Sequence, residues 1–256
     1  MERAVAFEIQ AHGPNSLPVA SGLSNLGDVY RALGDLKLAR ACRAQALALF
    51  QAELPADAPE VSMAMNNLAV VLGDLGELQA AQGLLRQAIA LEVAARGPEA
   101  PSLATRWTNL GNVLYASGDL AGAIEAHQHA LSLSERLNGT KHPATATVLN
   151  NLGSAIAESG DLASARVLHE RALHIDEATY GLNHPDTARD LNNIGYLLLS
   201  QGDREASVGY LERAYRGFCA SVGESQGDAV RLRSVLEAIA SGGDPWASTS
   251  TGPASV

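Results

Sequence analysis

The sequence predicts an all-α protein built as an α-solenoid, and three observations lead to this prediction. One motif recurs with a period of 42 residues and no insertion, a mark of stacked repeats. Each copy holds two stretches whose apolar residues follow helical spacing. A Gly followed by an acidic residue separates the two stretches in every copy. The register is carried by an Asn ladder: Asn25, Asn67, Asn109, Asn151 and Asn193.

The chain opens with a half repeat, which we assign to residues 1–17. Residues 3–9 share the apolar pattern of residues 171–177, which belong to the second helix of a repeat. No first helix precedes them in this sequence, so one apolar face around Ala4 and Phe7 lacks a cover. Terminal repeats normally carry a polar cap for solubility. We therefore expect a fragment of a longer protein, or a homodimer that forms through this uncapped end.

Five full repeats are predicted over residues 18–225, each with two antiparallel helices. In the fourth repeat, Leu149, Leu152 and Ile156 form the apolar stripe of a one-sided first helix. Gly160 suits the left-handed position that ends this helix, and Asp161 suits the N-cap of the next. Because the turn is this short, the two helices are expected to be antiparallel neighbours.

Small residues in the second helices, such as Ala165 and Ala172, are expected to pack on a glycine of the first helix. That glycine is Gly153 in the fourth repeat, and it costs ~1 kcal/mol relative to Ala inside a helix. Close approach of the two helices would explain why it recurs. The second helix then stops at a Gly and the next begins at a Pro, as in Gly181 and Pro185.

The C-terminal part of the chain departs from the repeat. Residues 226–240 stand where a sixth first helix is due, but they lack the Asn-Leu-Gly motif and are predicted to form a capping helix. Residues 241–256 turn to Ser, Gly, Thr and Pro, with Trp246 as the one large apolar residue. Such a segment buries too little to order itself, so we expect a disordered tail.

The motif resembles the tetratricopeptide repeat over roughly nine tenths of the chain, with Leu-Gly at positions seven and eight and Ala at twenty and twenty-seven of each unit. The 42-residue period, Asn-Asn-Leu and Gly-x-x-His-Pro are similar to the subtype of kinesin light chains and of bacterial signalling proteins. The resemblance implies a right-handed α-solenoid of five helix-turn-helix units. It also implies a scaffold or adaptor that binds a peptide or protein segment along its inner wall.

The predicted peptide-binding groove is a polar, nearly uncharged strip on the first helices. An Asn amide donates and accepts hydrogen bonds at once, as gripping a peptide backbone requires, and the resemblance gives the ladder this task. The alternative is that each Asn holds neighbouring repeats together, since buried amides need partners. Both interpretations stay open at this point. The strip comprises Asn66, Asn67, Asn109, Asn112, Tyr115, Asn150, Asn151, Asn192, Asn193 and Tyr196.

Composition limits the partners. Lys and Arg total 18 against 28 Asp and Glu, so the net charge of −10 gives no electrostatic basis for binding nucleic acid or an anionic membrane. We expect a protein or peptide partner that is neutral to basic. Cys42 and Cys219 show no disulfide or zinc spacing. No signal peptide or 18-residue apolar segment is visible, so a cytoplasmic protein is expected.

No catalytic constellation is recognisable, so we expect a binding protein rather than an enzyme, without a cofactor or metal. His127 and His169 occupy equivalent positions where other repeats carry Leu85 and Leu211, which favours packing over metal binding. Two other functions are considered. The chain is either a structural segment of a larger signalling protein that self-associates or packs on another domain, or, with much less support, an enzyme on a helical-repeat fold.

Overall fold

The computed structural model describes residues 2–222 and 227–246. The described residues form helices throughout, joined by short turns. None of these helices combines the length and apolar content needed to cross a bilayer. In chain order the helices are α1 (Glu2–His12), α2 (Leu17–Ala32), α3 (Leu36–Glu53), α4 (Pro59–Asp74), α5 (Leu78–Arg96), α6 (Ser102–Ala116), α7 (Leu120–Asn138), α8 (Pro143–Glu158), α9 (Leu162–Tyr180), α10 (Pro185–Ser200), α11 (Arg204–Val222) and α12 (Gly227–Ala240).

The turns inside the repeats follow the predicted chemistry. Gly118 and Gly160 have φ of 81° and 99°, in the left-handed region that suits glycine. The carboxylate of the following Asp then caps the next helix: Asp119 accepts from the Gly122 N–H at 3.0 Å, and Asp161 from the N–H of the third residue after it, also at 3.0 Å. At these turns the prediction that the first helix ends at a Gly and the second helix begins after an Asp cap is confirmed.

The chain divides into two compact units, Met1–Leu133 and Ser134–Val256, and the division lies within α7. In unit 1, α1 packs on α2, and α2 to α6 pack in chain order, each on the next. The buried residues of these helices are mainly Leu, Val and Ala, with Ala20, Ala39, Ala81, Leu85 and Leu103 completely covered. Unit 1 is therefore a run of stacked helix pairs.

In unit 2, α8 packs on α9, α9 on α10, α10 on α11 and α11 on α12. α12 buries Ala229, Leu232 and Val235 completely, so it uses the same one-sided packing as the repeats despite its two arginines. Both units show the consecutive helix packing of the all-α solenoid class, and the predicted fold class is confirmed.

Four of the five first helices carry a glycine at the same interior position, and its role differs from the one expected. A Cβ on Gly111 would come within 2.4 Å of the His127 ring, and one on Gly195 within 2.5 Å of the Leu211 side chain. The glycine thus makes room for a large side chain sixteen residues later rather than for the small residues of the second helix. A bulky residue of one helix fits the gap left by a missing Cβ in the other.

The two ends of the described chain make specific contacts. In unit 1, Val5 of α1 is buried against Gly22, whereas Phe7 and Ile9 are 66% and 41% exposed. In unit 2, the Trp246 ring lies 5.6 Å from the Tyr196 ring, centroid to centroid. Of the tail expected to be disordered, the structure describes residues 241–246, and residues 247–256 lie outside the described part.

Candidate binding site

In unit 1 the predicted strip runs across α4 and α6. Asn66 is buried, and its amide donates to Asn67 Oδ1 at 3.3 Å. The next repeat adds a further bond, because Asn109 Nδ2 donates to Asn66 Oδ1 at 2.8 Å. The Asn at the earlier position thus holds two first helices together. Asn67 and Asn109 are half-buried, whereas Asn112 lies exposed one turn further along α6.

A cavity of about 280 Å³ opens beside this strip in unit 1. Its apolar wall comes from Val70, Leu78 and Val113, and its polar wall from the amides of Asn109 and Asn112. An ion pair borders the cavity, with Arg31 Nε 2.5 Å from Asp74 Oδ2. The Asp74 hydrogen bond raises the pKa of Arg31.

The site residues predicted from sequence include the amides but neither the apolar wall nor the pairing of Arg31 with Asp74. Arg31 and Asp74 stand at neighbouring register positions of successive repeats, one residue out of phase. Two opposite charges this close together in an otherwise uncharged strip were the sequence signal for an ion pair at the cavity. The apolar wall gave no such signal, because Val70 and Leu78 look like ordinary packing residues. Tyr115, also in the predicted strip, is half-buried.

In unit 2 the equivalent strip is tied into a buried network. Asn150 donates from Nδ2 to Asp190 Oδ1, and its Oδ1 lies 2.8 Å from His169 Nδ1. All three side chains are at most 4% exposed. Asn192 is equally buried, and its Oδ1 has no hydrogen-bond partner in the described chain. Asn151 is half-buried and stays at the surface beside this network.

The far end of the strip in unit 2 is closed. Tyr196 is only 3% exposed, and Trp246 covers its ring. Burial raises the pKa of the Tyr196 phenol, whose oxygen has no hydrogen-bond partner within the described residues. Asn193, the last member of the ladder, is half-buried. The structure therefore separates the strip of unit 2 into surface amides and residues covered by the protein itself.

Burial also controls the ionisation of the two packed histidines. His127 and His169 are 1% and 2% exposed, and burial lowers the pKa of each to about 4. Each ring packs against a first-helix glycine, Gly111 for His127 and Gly153 for His169. Packing is the role that the comparison with Leu85 and Leu211 favoured, but the contact with the glycine was not predicted. Within the described residues, no three His, Cys, Asp or Glu side chains are placed to hold a metal ion.

One pair of equivalent buried positions holds ionisable side chains in both units. In unit 1, Glu92 of α5 lies 3.4 Å from the Arg106 guanidinium of α6 and accepts a 2.9 Å hydrogen bond from Ser62. Burial acts to raise the pKa of Glu92, but hydrogen bonds from Ser102 and Ser62 and the Arg106 charge leave it lowered. Two periods later, in unit 2, the same positions carry Asp176 and Asp190.

These two acids of unit 2 are buried together. Their side chains are within hydrogen-bonding reach of each other, and burial, reinforced by the charge of Asp176, raises the pKa of Asp190 to about 8. Burial likewise raises the pKa of Asp176.

The fold and this polar strip define a class of protein, the helical-repeat modules that mediate protein–protein interaction. A family model described as tetratricopeptide repeat matches residues 3–91, 102–178 and 148–220. The chain belongs to the tetratricopeptide repeat family. No curated protein matches it in sequence.

Several solved structures have a similar fold. BtubC (BKLC) from P. vanneervenii has a TM-score of 0.73 at 24% identity, over 88% of this chain and 91% of that chain. A putative kinesin light chain from Podosopora anserina, with nearly identical TPR-like repeats, has a TM-score of 0.68 at 20% identity, over 79% and 96%. A Rap protein complexed with Competence and Sporulation Factor has a TM-score of 0.72 at 14% identity, over 89% and 60%. At these identities the likeness concerns the fold alone.

Proposed function

We propose that the chain binds an extended peptide segment of a partner protein, and that the cavity of unit 1 receives one side chain of that segment. The observation that carries this proposal is the combination of an apolar wall with surface amides at one cavity. A cavity of about 280 Å³ is near the lower end of the range for ligand pockets, which suits one side chain rather than a whole ligand.

The proposed contacts follow from the two walls. A mid-sized apolar side chain, such as Leu or Met, would contact Val70, Leu78 and Val113. Asn112 is exposed, so its amide would donate to a peptide C=O and accept from a peptide N–H without losing an existing bond. The Arg31–Asp74 ion pair is partly exposed and adds little to stability, so its place beside the cavity favours a role in limiting which residues enter.

In unit 2 the proposal assigns different tasks to successive amides. Asn151 and Asn193 are half-buried and keep part of their surface, so they would contact a peptide backbone there. Asn150 is bonded to His169 and Asp190 and would instead hold the helices in register. In this proposal Asn66 and Asn150 serve packing, whereas the ladder residues Asn151 and Asn193 serve binding.

The partner that fits this chain is neutral to basic. The net charge of −10 disfavours acidic peptides, nucleic acid and anionic membranes. The role is that of an adaptor, in which binding without chemistry is the function. The family, whose members are interaction modules, supports this choice over a repeat-fold enzyme.

The test starts by capturing a ligand from a library of extended neutral or mildly basic peptides. Replacing Asn109 and Asn112 together with Ala should weaken that ligand by roughly ten- to a hundredfold, at ~0.5–1.5 kcal/mol per hydrogen bond. Gln128→Ala, which removes an exposed amide of α7 away from the cavity, should leave affinity unchanged.

Stability measurements separate binding from packing in the same variants. Asn112→Ala alone should weaken binding while leaving the free energy of unfolding unaltered, because Asn112 is exposed. Asn109→Ala should also lower stability by about 1 kcal/mol, because it removes the bond to Asn66. Full affinity in the double variant would contradict the proposed contacts of Asn109 and Asn112 with the peptide.

A second interaction is favoured by the surface of α1, and it corresponds to the self-association alternative. Phe7 is 66% exposed, which is unusual for a large aromatic side chain. We propose that α1 mediates a homodimer. Sedimentation velocity should then show association that rises with concentration and is lost in Phe7→Gln. Val167→Gln, at a 64% exposed position on α9, is the matched control. A monomer at all concentrations would rule the dimer out.

A further inference from the structure

Two acidic side chains are buried together in unit 2. Asp176 lies on α9 and Asp190 on α10, and they are 2% and 0% exposed. One oxygen of each, Asp176 Oδ1 and Asp190 Oδ2, has no hydrogen-bond partner in the described part of the chain. Two ionised carboxylates placed together out of water would repel each other without compensation.

The repeat register shows what these positions usually contain. The pairs at the same two positions elsewhere in the chain are Glu8 with Gly22, Phe50 with Ala64, Glu92 with Arg106, Ser134 with Val148 and Phe218 with Leu232. None of these pairs consists of two acids, and the acid of the Glu92 pair is compensated by Arg106. The two acids of unit 2 are the exception, and a bound proton is the simplest compensation for their charge.

The charges around the pair do not neutralise it. Asn150 of α8 donates to Asp190 but carries no charge, and the neighbouring His169 of α9 is kept neutral by burial. Arg189 of α10 and His184, which precedes α10, both lie next to Asp186, with Arg189 bonded to it at 2.6 Å. From α11, Arg213 binds Glu177, the residue beside Asp176. Each nearby cation therefore already has an acidic partner.

We propose that Asp176 and Asp190 hold one proton between them, and that loss of this proton at mildly alkaline pH loosens the packing of α9 on α10. The proton turns one carboxyl oxygen into a donor, so the two side chains form a hydrogen bond instead of repelling each other. The pair therefore makes the packing of α9 on α10 in unit 2 depend on pH. This inference is independent of the proposed peptide binding, because it needs no ligand.

The direction of the pH effect follows from linkage. The raised pKa of Asp190, about 8 against an ordinary value of 3.8, means that the folded state keeps a proton which the unfolded state has released. Stability from the pair is complete below pH 3.8 and is lost as pH rises towards 8. The lowered pKa of His127 and His169 acts in the opposite direction and below pH 6.5, so the range from pH 7 to 8 isolates the acids.

The experiment is amide hydrogen exchange on the full chain, expressed as protection relative to the intrinsic exchange rate at each pH. Between pH 7 and 8, protection in α9 and α10 should fall roughly fivefold, as expected for one released proton. Helices α5 and α6, which hold the Glu92–Arg106 pair, are the internal control and should keep their protection. Equal pH responses in both pairs of helices would overturn the proposal.

Two variants and a direct titration complete the test. Asp190→Asn removes the acid whose pKa is raised to about 8, and the new amide can donate to Asp176 without a bound proton, so the pH response of α9 and α10 should disappear. Asp176→Asn removes the neighbouring charge but leaves Asp190 buried, so the response should move to lower pH. A response that persists unchanged in either variant would overturn the proposal. Carboxyl ¹³C shifts of the wild-type protein should also show an Asp titrating above pH 7. If no Asp carboxyl titrates above pH 7, the shared proton is contradicted, even if neither variant folds.

Discussion

At the scale of single residues, one second-helix position explains how the repeats differ in chemistry while sharing a shape. This position holds Leu85, His127, His169 and Leu211 in four successive repeats, and the last three face the first-helix glycine, whereas the first helix of the Leu85 repeat carries Ala69 there. His169 Nδ1 bonds to Asn150, whereas His127 Nδ1 has no hydrogen-bond partner in the described structure. The same residue type therefore stabilises one repeat and imposes an unpaired polar atom on another.

His127→Leu should therefore stabilise the protein, and His169→Leu should destabilise it. The first removes a buried unpaired nitrogen from a site that fits Leu in other repeats, a gain of ~1–3 kcal/mol at pH 7. The second leaves Asn150 Oδ1 buried without its partner, a loss of similar size. Urea unfolding of both variants beside wild type measures the two effects. Changes of the same sign would contradict this account.

His127→Leu should also change how the free energy of unfolding depends on pH in the acidic range. The pKa of His127 is lowered to about 4, so the folded state binds this proton less readily than the unfolded state does. Stability is lost as pH falls from 6.5 towards 4, by up to ~3 kcal/mol for this histidine. His127→Leu should flatten the stability profile in that range, whereas His174→Gln, at an exposed position of α9, should not.

At the scale of elements, the helix ends were predictable because their signals are local. Gly34, Gly118 and Gly202 take positive φ, and each precedes an Asp that caps the next helix. The segment after α12 carries a related signal, because Gly242 has φ of 72° and Asp244 Oδ1 accepts from the Trp246 N–H at 2.9 Å. Its composition alone suggested disorder, since the contact of Trp246 with Tyr196 is not local.

Truncation separates the described part of the tail from the rest. Removing residues 247–256 should leave the melting temperature unchanged, because a sequence made mostly of Ser, Thr and Ala offers little apolar surface to bury. Removing residues 241–256 should destabilise unit 2 by about 1–2 kcal/mol, because Trp246 leaves the Tyr196 ring. Trp246→Ala is the point-mutation counterpart. If the two truncated proteins have the same melting temperature, the contact between the Trp246 and Tyr196 rings contributes nothing to stability.

At the scale of the whole molecule, the 42-residue register determines the fold class, but it does not determine which polar groups stay at the surface. Asn150 and Asn66 hold equivalent positions, yet the first binds Asp190 and His169 and the second binds Asn67 and Asn109. Asp190 and His169 come from positions that vary between repeats, whereas Asn67 and Asn109 belong to the ladder, which is Asn in every repeat. The pairing of Asn150 therefore depends on side chains that the repeat pattern does not specify, so that pattern could not predict it.

Net charge is a property of the whole chain, and it predicts how a captured peptide should associate. At −10, the protein attracts a peptide with two added Lys and repels one with two added Glu, relative to a version with two Gln. At 20 mM salt the Lys peptide should associate about tenfold faster than the Glu peptide, with similar dissociation rates. At 1 M salt, where screening acts within ~3 Å, the three association rates should converge. Stopped-flow fluorescence measures these rates. A preference that survives high salt would instead indicate a local charged contact in the site, with the Arg31–Asp74 pair as the first place to look.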